Sequence, residues 1–98
     1  MNDATTIEGE VISTMDHGHV AGIVVETYTP YHQQVPIALC DAPGAARGSN
    51  ADLVRQLLES LGLDDLDELR GRDVKAVCDG RSMMPGMLAA TPQGITLD

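Results

Sequence analysis

VAGIVVET, residues 20–27, is the segment of the sequence that most strongly predicts a β-strand, because β-branched residues fill most of it. The expected strand extends to about Thr29. Its alternate residues Ala21, Ile23 and Val25 share one face, as the period of two in a strand requires. A β-sheet is therefore the first expectation for this fold.

The segment before this strand predicts its hairpin partner. Residues 7–15 alternate in the same way and predict a strand. Between the two strands lies Asp16-His17-Gly18-His19, which has the composition of a tight turn, with a glycine available for positive φ. We expect the second strand to begin at His19 or Val20.

The rest of the chain adds strands and one clear helix. Leu53, Leu57 and Leu61 recur at helical spacing and predict an amphipathic helix over residues 49–61. Pro36 cannot donate a ladder hydrogen bond, so its strand is expected at a sheet edge or with a bulge. The remaining expected elements are that third strand over 34–40, a short helix over 64–70, a strand over 72–79, and a last hairpin of 87–90 and 95–97.

Read in order, these elements are β-β-β-α-α-β-β-β. The order predicts the α+β class, with a mostly antiparallel sheet and one amphipathic helix packed on it. A single domain is expected over residues 7–98. Residues 1–6 carry no hydrophobic pattern and are expected to be a disordered N-terminus.

Composition excludes several classes of function. The 98 residues include 15 acidic and 6 basic ones, for a formal net charge of −9, which opposes direct binding of nucleic acid. The only aromatic residues are Tyr28 and Tyr31, too few for a base-stacking platform. No apolar run approaches the roughly 18 residues of a membrane span, and the N-terminus lacks a signal-peptide pattern. We therefore expect a cytoplasmic protein in which Cys40 and Cys78 are buried thiols.

The turn at residues 16–19 is the most reactive-looking stretch. His17 and His19, together with His32 and Cys40, could bind zinc, but their spacing matches no zinc motif, and turn geometry alone explains these residue types more simply. No nucleotide-binding or nucleophile-elbow motif occurs. We assign no catalytic residue, metal site or cofactor, and favour a binding role over an enzyme.

Four short motifs, taken in order, carry a family resemblance. They are Asp16-His17-Gly18, Ala38-Leu39-Cys40-Asp41, Leu57-Leu58-Glu59-Ser60-Leu61, and Glu68-Leu69-Arg70-Gly71-Arg72-Asp73-Val74-Lys75. Their order resembles that in a family of small proteins encoded by tailed bacteriophages and prophages, over residues 7–98. The chain departs from the family at residues 31–36, where the family has a stretch rich in glycine and aromatic residues. The resemblance implies a phage origin and a cytoplasmic accessory role in the host bacterial cell, and no reaction.

Charge and resemblance lead to one function hypothesis and two alternatives. The first is a non-enzymatic phage protein, anti-CRISPR-like, that binds and inhibits a nucleic-acid-binding complex of host antiviral defence through charge complementarity. A homodimer is expected, since the sheet has at least one edge strand. The alternatives are a small-ligand or nucleotide binder and a metal-dependent enzyme that uses the His17 and His19 turn. The candidate partner-binding residues are Asp64, Asp65, Asp67, Glu68, Asp16, His17, His19 and Tyr31.

Overall fold

The computed structural model describes residues 5–17, 20–28, 33–40, 50–78 and 86–98, with His17 described by its backbone alone. Its helix and strands are, in chain order, β1 (Thr5–His17), β2 (Val20–Thr27), β3 (Gln34–Leu39), α1 (Asn50–Leu61), β4 (Asp73–Cys78), β5 (Leu88–Ala90) and β6 (Ile95–Leu97). Two short 3-10 helices cover Leu66–Leu69 and Pro92–Gly94. The expected α+β class with a mostly antiparallel sheet is confirmed.

The six strands form one curled sheet in the order β5-β3-β2-β1-β4-β6. Neighbouring strands are antiparallel, apart from the parallel pair of β3 and β5. The expected last hairpin is wrong, because β5 and β6 lie at opposite edges of the sheet. In a flat sheet those edges would be about 24 Å apart, whereas the chain from Ala90 to Ile95 reaches at most about 18 Å. The sheet therefore has to curl, and β5 comes close to β4.

Helix α1 packs on the sheet as its leucine spacing predicts. Leu53 and Leu57 are fully buried, and Leu61 packs against the core from a half-buried position. Gly62 ends the helix with a φ of 73°, a left-handed conformation that a residue without Cβ adopts without strain. Helix α1 has 12 residues, and no helix in the described part of the chain is long and apolar enough to cross a membrane.

The second expected helix, over residues 64–70, is instead a single 3-10 turn at Leu66–Leu69. Asp65 precedes the turn in an extended conformation, and Gly71 follows it with a φ of 83°. The few residues between these two positions leave no room for the stacked turns that stabilise an α-helix. Both leucines of the turn are buried, as expected.

Strand β3 is an inner strand, although Pro36 predicted an edge strand or a bulge. Thr27 N donates to Gln33 O, so in this ladder the odd-numbered residues of β3 bond to β2 and the Pro36 nitrogen points away from it. On that other side, β5 pairs with β3 only from Ile37 onward. Pro36 lies one residue before the parallel ladder begins, so its missing N–H does not interrupt the pairing of β3 with β5.

Strand β1 connects the two halves of the sheet. It pairs with β2 through residues 9–17 and with β4 through residues 5–10. The strand begins at Thr5, so it extends into the segment that was expected to be disordered. The register with β2 shifts between Val11 and Ser13, which is a β-bulge that bends the strand and increases its twist.

Close contact between β2 and β3 depends on one glycine. A Cβ atom at Gly22 would lie 1.9 Å from the Ile37 carbonyl oxygen. A residue with a side chain cannot occupy this position without moving the strands apart.

The core enclosed by the curled sheet and α1 is aliphatic. Its largest fully buried side chains include Ile23, Val25, Ile37, Leu39, Leu53, Leu57, Leu69, Val74 and Ile95.

Candidate functional site

A row of acidic side chains crosses the outer face of the sheet, on the side away from the core. Glu10 of β1 pairs with Glu26 of β2 on one side and with Asp73 of β4 on the other. Asp98 continues the row, because its N–H donates to Asp73 O at 3.0 Å. Directly opposed residues on neighbouring strands project to the same face. Glu26, Glu10, Asp73 and Asp98, here called the acidic row, span three strand spacings, or about 14 Å.

The acidic row sets like charges side by side, an arrangement that destabilises a sheet. The nearby base Lys75 has its Nζ 3.9 Å from Glu8 Oε1, and both side chains are about half exposed, at 49% and 52%. Its ion pair is thus made with a carboxylate outside the row. Four carboxylates therefore lie side by side on one face of the sheet.

Tyr28 lies beside the acidic row, immediately after the end of β2. Its side chain is 58% exposed, and its hydroxyl donates to Asp73 Oδ1. This hydrogen bond, a small desolvation and the negative charges of Asp73, Glu10 and Asp98 raise the pKa of Tyr28 to about 12. The phenol is thus the one aromatic group described on this face, and it stays protonated and able to donate over the physiological pH range.

An open groove of about 440 Å³ adjoins the acidic row where β2 ends. Its less polar side is formed by Ile7 and Val35, which also pack against the core, and by the buried Thr27. Its polar rim includes Glu8 and Tyr28. The groove and the acidic row thus form one continuous surface.

The four acids predicted as a docking patch, Asp64, Asp65, Asp67 and Glu68, are all exposed, and the side chains of the last three accept hydrogen bonds within the protein. Asp65 caps the 3-10 helix by accepting from Asp67 N at 3.1 Å. Glu68 Oε2 accepts from Asp65 N at 2.9 Å and from Asp64 N at 2.7 Å, and these hydrogen bonds lower the pKa of Glu68. Asp67 Oδ1 accepts from Thr14 Oγ1 at 2.9 Å. The spacing Asp65-x-x-Glu68 is a capping box, a signal that the sequence contains and that charge density alone does not reveal.

The other predicted partner-binding residues come from the segments at the two ends of β2, and Asp16 and His17, which were expected in a turn, are the last two residues of β1. Asp16 is exposed near the end of β1, where it pairs with Ala21. The backbone of His17 pairs with Val20. His19 and Tyr31 lie outside the described residues, so the structure does not bear on them.

Of the four residues considered above as possible zinc ligands, His17, His19, His32 and Cys40, only Cys40 has a described side chain. Over the ranges that the structure describes, no three His, Cys, Asp or Glu side chains are grouped so that they could hold a metal ion. His19 and His32 fall outside those ranges. Cys40 and Cys78 are buried thiols that form no disulfide, which confirms the expectation for both.

Comparisons with other proteins identify no relative. The chain matches no protein-family model, no curated protein and no solved structure. The phage resemblance therefore stays a hypothesis drawn from short motifs. The features that bear on function are the acidic row and its surroundings.

Proposed function

We propose that this chain is a small, non-enzymatic, acidic interaction protein that binds the cationic nucleic-acid site of a host protein complex and blocks it. The acidic row carries the proposal. A nucleic-acid strand presents one phosphate charge per about 3.4 Å of helix axis, and the row presents one carboxylate per strand spacing of about 4.8 Å. A groove lined with Lys and Arg can accept either line of charge.

Long-range attraction supports the same function. A net charge of −9 on 98 residues steers the chain towards a basic surface and speeds association. The resemblance to phage proteins suggests which partner this could be, namely a complex of antiviral defence in the cytoplasm of the host bacterium. Homodimer formation stays a prediction that sedimentation measures directly.

A second candidate function, binding of a small ligand, is favoured by the groove at the end of β2. Its volume of about 440 Å³ falls within the range of known ligand sites, about 300–1,000 Å³. Melting temperatures measured with a panel of nucleotides test this candidate, because a ligand that binds only the folded state raises stability. No change at millimolar ligand would remove nucleotides from consideration.

The main proposal is tested by capture from nuclease-treated bacterial lysate, followed by kinetics with the purified partner. The row variant Glu10→Gln with Glu26→Gln removes two charges. The control variant Asp52→Asn with Glu59→Gln removes two exposed charges from α1. We expect association about tenfold slower or more for the row variant, a near-normal rate for the control, and loss of the partner's nucleic-acid binding when the unmodified chain is added. Equal association of both variants would overturn the proposal.

A further inference from the structure

The groove of about 440 Å³ at the end of β2 has two chemically different sides. Ile7 and Val35 line it from the core side of the sheet, where both pack against the buried cluster. Glu8 directly follows Ile7 in β1, so its side chain points to the outer face, as does that of its cross-strand neighbour Lys75. The groove is therefore apolar towards the core and carries a carboxylate towards the outer face.

The apolar side leaves hydrocarbon surface uncovered. Ile7 and Val35 are half-buried rather than buried, and both line the groove. Each CH₂ group that a ligand buries against such surface strengthens binding about fourfold. The groove therefore favours a ligand with an aliphatic body over one that is polar throughout.

The outer side of the groove attracts positive charge. Lys75 Nζ lies 3.9 Å from Glu8 Oε1, and both side chains are about half exposed, so this ion pair is long and solvated. A carboxylate has about four lone-pair sites, and Glu8 therefore keeps the capacity to accept from a second cation. No basic residue occurs among the described residues that line the groove, and Tyr28 at its rim donates to Asp73 of the acidic row. An ammonium group is thus attracted to this rim, whereas a phosphate or a carboxylate is repelled.

We propose that the groove binds an aliphatic amine, with its hydrocarbon chain against Ile7 and Val35 and its ammonium group beside Glu8. Tyr28 adds an aromatic ring to the same rim, and aromatic rings attract ammonium groups. The inference rests on the second candidate function, binding of a small ligand, and names the class of that ligand. The class is opposite in charge to the nucleotides, whose binding the same rim opposes.

The probe is hexylamine, titrated into the isotope-labelled full chain and followed by NMR. We expect the methyl signals of Ile7 and Val35 to shift. Methylamine keeps the charge and lacks the chain, and it should bind at least tenfold more weakly, since even two buried CH₂ groups contribute about fifteenfold. Hexanoate keeps the chain and reverses the charge, and it should bind about fivefold more weakly or worse.

Two variants separate the Glu8 carboxylate from the net charge of the molecule. Glu8→Gln should weaken hexylamine binding about two- to fivefold and strengthen hexanoate binding by a similar factor, as expected for one exposed charge. A general loss of structure would weaken both probes, and thermal melting checks the fold directly. The control Asp52→Asn with Glu59→Gln removes two charges from α1, outside the described lining of the groove, and should change either affinity less than Glu8→Gln does.

The outcomes separate this inference from the proposed functions. Equal binding of hexylamine and methylamine, equal binding of hexylamine and hexanoate, or an effect of the α1 control as large as that of Glu8→Gln would each overturn the inference. If hexylamine fails to bind while a nucleotide raises the melting temperature, the inference falls and the second candidate function stands. Capture of a partner by the unmodified chain and its loss in the row variant report on the main proposal alone, because neither residue changed in that variant lines the groove in the described part of the chain.

Discussion

Replacing Glu10 by glutamine should stabilise this protein. Glu10 lies between Glu26 and Asp73, and each directly opposed pair of like charges costs roughly 0.2–1 kcal/mol. Two such pairs sum to roughly 0.4–2 kcal/mol, and because both contacts are at an open face the lower half of this range applies. The expected net gain is about 0.5–1 kcal/mol in the free energy of unfolding, or a rise in Tm of about 2–8 °C.

Thermal and urea unfolding at two salt concentrations test this prediction. The Debye length falls from about 10 Å at 0.1 M to about 3 Å at 1 M, so most of the gain should disappear at high salt. Asp16→Asn is the control, since this exposed acid of β1 faces Ala21 across the sheet and its neutralisation should change stability by less than about 0.5 kcal/mol. A Glu10→Gln variant that is no more stable at low salt, or a gain that salt leaves unchanged, would refute the reasoning.

Three further predictions address the core, the curl and the tyrosine. Leu57→Ala should lower the free energy of unfolding by about 2–5 kcal/mol in urea denaturation, because the side chain is fully buried, and a loss below about 0.5 kcal/mol would contradict its placement. Gly22→Ala should lower the free energy of unfolding by about 1–3 kcal/mol or more in the same assay, because its methyl group would overlap the Ile37 carbonyl; an unchanged midpoint would contradict the close approach of the strands. Ultraviolet titration should show Tyr28 ionising near pH 12, and Asp73→Asn should bring that pKa down towards 10. Since the folded-state pKa is the higher one, this contribution to stability is complete below about pH 10 and is lost between pH 10 and 12; ionisation near 10 in the unmodified chain would contradict the hydrogen bond.

The parts of the fold that could be predicted are those fixed by local spacing. Alternation through Ala21, Ile23 and Val25 identifies β2 and its buried face, and the spacing of Leu53 and Leu57 identifies α1 and the side that packs. A strand repeats every two residues and a helix every 3.6, so a few neighbouring side chains are enough. The capping box after α1 is an equally local signal, but the density of acids there also fits a charged docking patch, which is how the sequence alone is interpreted above.

The acidic row could not be predicted, because it depends on the register between distant segments. Glu10 and Asp73 belong to strands far apart in the chain, and a shift of one residue would turn either side chain to the other face. The parallel pairing of β3 with β5 and the separation of β5 from β6 are likewise products of the curl. The sequence therefore predicts the candidate site at a run of acids that are close together in the chain, whereas the structure brings together the acids of neighbouring strands in the acidic row.

The curled sheet also sets an order of events during synthesis. The segment from Leu88 to Leu97 supplies the outermost strand at both edges, so β3 and β4 each keep an open side until the ribosome has made it. A nascent chain that ends before residue 88 would have two sheet edges with unpaired backbone groups, and such edges can pair with other chains. The state most open to misassembly is thus one in which β3 and β4 have joined the sheet and the segment from Leu88 to Leu97 has not.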